Sequence, residues 1–149
     1  MVLLLIALVS GMVGLSMRDG SESRLERDAA RLSALLEGAR AEARASGVAV
    51  RFELIGSGAN TAANASGGGP NEAFRFVGLA PGVMPAGRWL DPAVQAQIVG
   101  ARALRLGPEP LIGAQRIVLR LNDRQLVLAT DGLAPFAVQE AAPGTLSSP

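Results

Sequence analysis

The first seventeen residues, MVLLLIALVSGMVGLSM, carry no charge. As a helix they reach roughly 25 Å, slightly short of the ~30 Å hydrocarbon core of a bilayer. The run predicts a transmembrane half-helix over residues 1–17. Its membrane and assembly residues are Val2, Leu3, Leu4, Leu5, Ile6, Leu8, Val9, Met12, Val13 and Leu15. A signal peptide fits less well, because no basic lead-in precedes the run and no small-x-small cleavage site follows it. So unbroken a run also suits a small soluble core poorly. It begins at residue 1 without a lead-in, and the expectation is a natural start further upstream.

Charges begin at Arg18, yet helical spacing continues. Leu25, Ala29, Leu32, Leu36, Ala39 and Ala43 recur at alternating intervals of four and three, one narrow stripe on a helix. Leu25, Leu32, Leu36 and Ala39 are therefore expected to pack under a sheet. Arg24–Asp28 and Glu37–Arg40 have favourable helical pair spacing and are placed on the exposed faces, with Glu37 on the wet side. Ser46-Gly47 supplies a glycine stop. The spacing predicts one rod of about 45 residues, near 65–70 Å, with residues 18–46 as its amphipathic half. Ser10, Gly11, Gly14 and Ser16 are small enough to admit a neighbouring helix, although membrane helices commonly carry such residues.

Residues 47–140 read as a β domain. Val48, Val50, Phe52 and Leu54 alternate with Arg51 and Glu53, a strand with one wet face. Residues 56–72, GSGANTAANASGGGPNE, are polar and low in complexity, and predict a mobile loop. Phe74, Phe76 and Leu79 mark a second strand, and Arg88-Trp89-Leu90 a short one. Asp91-Pro92 starts a helical turn or a loop. Leu104 and Leu106 alternate with Arg102 and Arg105, and Gly107-Pro-Glu-Pro110 forms a rigid link. Ile117, Leu119 and Leu121 alternate with Arg116 and Arg120. Asn122-Asp123 then makes a two-residue hairpin turn, and Leu126 and Leu128 return. Asp131-Gly132 turns again, Phe136-Ala137-Val138 closes the last strand, and residues 141–149 form a frayed tail. Short turns between successive strands imply antiparallel sheets packed on the amphipathic half of the rod, an α+β fold.

Composition closes most enzymology. The chain has no His, Cys, Tyr or Lys; its fourteen basic residues are all Arg, and thirteen acids leave a net charge of +1. There is no imidazole base, thiolate, Schiff-base lysine or usual zinc ligand. Gly67-Gly68-Gly69 lacks the Lys-Ser/Thr of a phosphate loop and reads as linker. Asp123 and Asp131 are candidates for a carboxylate pair, but both sit at turns, where Asp is favoured for backbone reasons. Ser21, Ser33 and Ser57 have no base other than carboxylates. Asn64-Ala65-Ser66 matches a glycosylation pattern that is informative only in a glycosylating host. Trp89 reads as a core anchor against the helix. The arginines at 18, 24, 27, 31, 40, 44 and 51 are interleaved with acids and read as a solvated face. No catalytic residue, metal site or cofactor is expected.

A hydrophobic helix running without a break into an amphipathic half, then a small β domain, resembles the plan of type IV pilin-like proteins. The apolar run followed by RLERDAARLSALLEGARAEARASGVAV is similar to the helix of GspH/FimT-type minor pseudopilins, commonly (E)xxRLxxLLxxARxEA. The stretch LGPEPLIGAQRIVLRLNDRQLVLATDGLAPFAV resembles the GspH branch, the minor pseudopilin of type II secretion, above all at Asp131-Gly132-Leu133-Ala134-Pro135-Phe136. The resemblance covers nearly the whole chain. One departure stands out. The family opens with a basic leader and a Gly before a Phe-Thr-Leu-Ile-Glu-like motif, where a prepilin peptidase cuts and methylates. That cleavage site is absent from this chain, whose Met1 aligns just after the motif's glutamate. A late start or a removed segment is the expected reason. Arg18, Arg24 and Arg27 alone would favour a cytoplasmic location for their side of the membrane; the family's leader would supply the competing positive charge.

The resemblance implies a structural component of the type II secretion pseudopilus, not an enzyme. It would sit in the bacterial inner membrane as a single-pass protein, with its β domain in the periplasm. Its partners would be other pseudopilins, major and minor, with no nucleic acid and no small-molecule substrate. The alternative is a FimT-like type IV pilus minor pilin that binds DNA for uptake. Such a protein would be expected to cluster arginines on the β domain or tail, and residues 125–149 contain none.

Overall fold

The computed structural model describes the backbone of residues 2–56 and 72–139, and the side chains of those from Gly20 onward. Residues 57–71 of the expected loop, with Asn64-Ala65-Ser66 and Gly67-Gly68-Gly69, lie outside the described residues, as does the tail 141–149. So do the side chains of Val2 to Leu15.

Helix α1 runs over Val2–Ser46. It ends at Gly47, whose φ of 68° and N–H bond to Ala43 O at 2.9 Å form a left-handed cap. Among the described residues seven strands follow: β1 Val50–Leu54, β2 Phe74–Val77, β3 Gln95–Ile98, β4 Ala103–Gly107, β5 Gln115–Leu121, β6 Arg124–Thr130 and β7 Ala137–Gln139. They form two antiparallel sheets, β2-β1-β4 and β3-β5-β6-β7, both packed on α1. The fold is α+β, one helix against two small sheets.

The alternation explains which face each strand buries. Val50, Phe52 and Leu54 of β1 point inward, as do Leu104 and Leu106 of β4 and Ile117, Leu119 and Leu121 of β5. They meet Leu25, Ala29, Leu32, Leu36, Ala39 and Ala43, each buried on one face of α1. Phe52 packs on Phe74 and Phe76 at ring-centroid distances of 5.2 and 5.4 Å, and Trp89 on Phe74 at 4.9 Å. Trp89 is half-buried and lies against the core, as an anchor would. Asn122-Asp123 joins β5 to β6 with Leu121 opposite Arg124, and Asn122 takes the positive φ, 55°, that this turn requires.

Several expectations are corrected. Arg88-Trp89-Leu90 is not a strand: the N–H groups of Leu90 and Asp91 are held by a helix carboxylate, so no ladder forms there. Gly87 instead covers the start of β2, its carbonyl accepting from Ala73 and Phe74. A Cβ at Gly87 would lie 1.6 Å from Phe74 O, so only glycine permits this approach. Val48 is exposed and precedes β1, Leu79 lies beyond β2, and Arg102 lies before β4. β3 has no counterpart in the sequence reading. Asp28 and Arg40, expected on exposed faces, are buried at 1% and 3% exposure.

Candidate assembly site

The predicted packing residues are brought together: Leu25, Leu32, Leu36 and Ala39 are each no more than 1% exposed and share one core. The predicted membrane residues have no described side chains. Among the described residues, no helix is long and apolar enough to cross a membrane.

The charged positions of α1 form anchors for the β domain at three heights. Near its middle, Ser21 Oγ accepts a hydrogen bond from Asn122 Nδ2 at 2.9 Å, and Glu22 pairs with Arg124 at 3.2 Å. These hold the tip of the β5–β6 hairpin. Two turns on, Asp28 accepts the N–H groups of Leu90 and Asp91 at 2.7 and 3.1 Å, one on each carboxylate oxygen. Arg31 donates to Arg88 O in the same loop. Arg24 pairs with Asp91 at 3.5 Å, not with Asp28, and its exposed side chain makes that pair a weak one.

At the third height, Arg40 donates to the carbonyls of Ala134 and Gly132 at 3.1 and 3.3 Å. It also pairs with Glu37 at 3.2 Å. Glu37 accepts the N–H of Phe136 at 3.1 Å, and Ser33 donates to Phe136 O. Glu37 is thus a partnered, half-buried residue, not a wet one. Charge-assisted bonds from a rigid helix to loop backbone fix those loops more firmly than neutral bonds do. These bonds tie the β domain to one face of the helix.

Helical phase already pointed to Asp28 and Arg40. Asp28 lies three residues after Leu25 and four before Leu32; Arg40 lies four after Leu36 and three before Ala43. Both fall on the buried stripe. Gln115, also missed, left no such signal. Its side-chain amide bridges the two sheets like a peptide group, accepting from Arg105 N at 2.6 Å and donating to Arg105 O at 2.8 Å.

The other candidates separate. Asp123 and Asp131 sit at opposite ends of β6 and form no pair. Asp131 Oδ1 caps its own turn by accepting from Leu133 and Ala134 at 2.9 and 2.8 Å; the Ala134 bond foremost, then the Leu133 bond, holds its carboxyl below the usual carboxylate range. Ser21 and Ser33 are structural hydrogen-bonding residues, and Ser57 lies outside the described residues. Among the described residues, no cluster of three or more acidic, His or Cys side chains is placed to hold a metal. Arg116 and Arg120 do project from one face of β5, but Arg105 belongs to the other sheet. A cleft of about 600 Å³ is bordered by Trp89, Arg88, Glu72 and Gln95, and its described lining residues include no nucleophile–base pair. No family model matches the chain, and no curated protein and no solved structure matches it.

Proposed function

We propose that the chain is a minor pseudopilin of the GspH type, a structural subunit of the type II secretion pseudopilus that supports protein export across the outer membrane. The observation that carries this reading is the single helix Val2–Ser46. Its sequence is charge-free over residues 1–17, and its later stripe is buried under two antiparallel sheets. Such a helix must cover its apolar half with lipid before assembly and with neighbouring helices afterwards. The protein is anchored by one pass in the inner membrane, holds its β domain in the periplasm, and enters the pseudopilus near the tip beside other pseudopilins.

The absence of native cysteine makes a single introduced one unique. Leu8→Cys in host cells is expected to form a mixed disulfide with a pseudopilin carrying a cysteine in its own helix. A chain that forms no such adduct, and that leaves the membrane fraction without detergent, is not a pseudopilin.

A second reading, the FimT-like DNA-uptake pilin, draws on one observation. Arg51, Arg102, Arg105 and Arg116 are exposed and make no ion pair among the described residues, and Arg51 faces Arg105 across the β1–β4 register. We favour their role in keeping outer sheet faces wet and free of edge association. The protein is expected to bind DNA no more tightly than high micromolar at physiological salt. Low-micromolar affinity that falls steeply with salt, and is lost in Arg116→Ala with Arg120→Ala, would replace secretion by DNA uptake.

A further inference from the structure

Among the described residues, four strands lie at the margins of the two sheets: β2 and β4 of one, β3 and β7 of the other. A marginal strand presents backbone N–H and C=O groups with which a strand of another chain can pair. β4 is the longest of the four, at five residues against four, four and three. The start of β2 is covered by the Gly87 carbonyl.

β4 is covered in a different way. Arg105 lies opposite Arg51 in the ladder to β1, and its backbone groups are taken from the other side by one side chain. Arg105 N donates to Gln115 Oε1 at 2.6 Å, and Gln115 Nε2 donates to Arg105 O at 2.8 Å. A carboxamide offers the same acceptor and donor as a peptide group. These two bonds are therefore the pair that an antiparallel neighbour would make to Arg105. Gln115 reaches β4 from a fixed base. It is the first residue of β5, in register with Thr130 of β6, and Nε2 also lies 3.5 Å from Ile112 O. A backbone held by its own ladder lowers the ordering cost of the side-chain contact.

We infer that Gln115 seals the outer edge of β4 against strand addition, and that the partner it excludes is β4 of a second copy of this chain, paired antiparallel. Pairing about a two-fold axis would satisfy both edges at once. It would also leave Leu104 and Leu106 on the buried face that they already occupy. Charge supports the amide. Arg51 and Arg105 are exposed, and both would be brought near their counterparts in such a dimer, where like charges oppose pairing. The seal goes beyond the pseudopilin reading and does not depend on it.

The test follows hydrogen exchange at the Arg105 amide, and sedimentation, in the full chain in detergent. At low micromolar concentration, Gln115→Ala should exchange the Arg105 amide about tenfold faster or more than the native chain. Gln115→Glu keeps the acceptor for that N–H and loses the donor to Arg105 O, so its Arg105 exchange should stay within about threefold of native. A general loosening of the fold would not separate these two variants. As concentration rises, Gln115→Ala should gain mass while the native chain does not, and its Arg105 amide should regain protection as the second copy takes the place of the carboxamide. Gln115→Asn carries the same groups on a side chain one methylene shorter and should behave as Gln115→Ala does, which keeps the test open should the alanine variant not fold. Native exchange at Arg105 in both variants would overturn the seal. So would variants that keep the native mass at every concentration, or that associate without renewed protection of Arg105.

Discussion

Leu36→Ala is expected to destabilise the protein by about 2–5 kcal/mol, a drop of roughly 10 °C in the melting temperature of the full chain in detergent. Leu36 is fully buried within the helix stripe and belongs to the same core as Phe52, Phe74 and Leu104. Truncation removes three carbons from water-free packing and leaves a cavity that a helix fixed at three heights closes only partly. Glu26→Ala is the matched control, because Glu26 is exposed on the same helix; its effect should stay within about 0.5 kcal/mol. Thermal unfolding followed by circular dichroism measures both. Equal effects would mean that the stripe is not the packed face.

Asp28→Ala is expected to cost about 3 kcal/mol. The carboxylate takes the backbone N–H groups of Leu90 and Asp91, one on each oxygen. Alanine leaves two part-buried donors without an acceptor, each costing about 1–3 kcal/mol. Asp28→Asn keeps one acceptor oxygen and should lose about half as much. Trp89, the one tryptophan in the chain, is next to Leu90 and reports the loop directly. Its fluorescence should shift to the red in Asp28→Ala well below the melting transition. A destabilised variant with unchanged fluorescence would place the loss elsewhere in the helix.

What the sequence disclosed depended on the reach of each signal. The long helix and its stripe were legible because a period of 3.6 repeated over many turns leaves little ambiguity. The β5–β6 hairpin was legible because strict alternation on both arms flanked a turn whose Asn accepts a positive φ. β3 was not, because Gln95-Ala96-Gln97-Ile98 offers only one large apolar residue; the strand is held by its ladder to β5. Arg88-Trp89-Leu90 looked like a strand by composition, but its fate was decided by a carboxylate over sixty residues away in sequence. Asp28 and Arg40 were misread because their charge was weighed above their helical phase. Phase was the better guide, since loop backbone groups were available to satisfy both side chains. Gln115 could be interpreted only once two sheets were known to meet at its position.

Most residues of the turn Asp131-Gly132-Leu133-Ala134-Pro135-Phe136 have an identifiable physical role. Asp caps, Gly permits the approach of Gly113, Ala134 supplies the carbonyl that Thr130 and Arg40 share, and Phe fills the core. Helix and turn are joined through Ser33, Glu37 and Arg40.

Exported protein in the culture medium of a host strain deleted for this gene, with DNA uptake scored in the same strain, separates secretion from DNA uptake. Type II substrates are expected to accumulate in the periplasm, with export restored by the intact gene and DNA uptake unchanged. Normal export with lost DNA uptake would contradict the secretion reading.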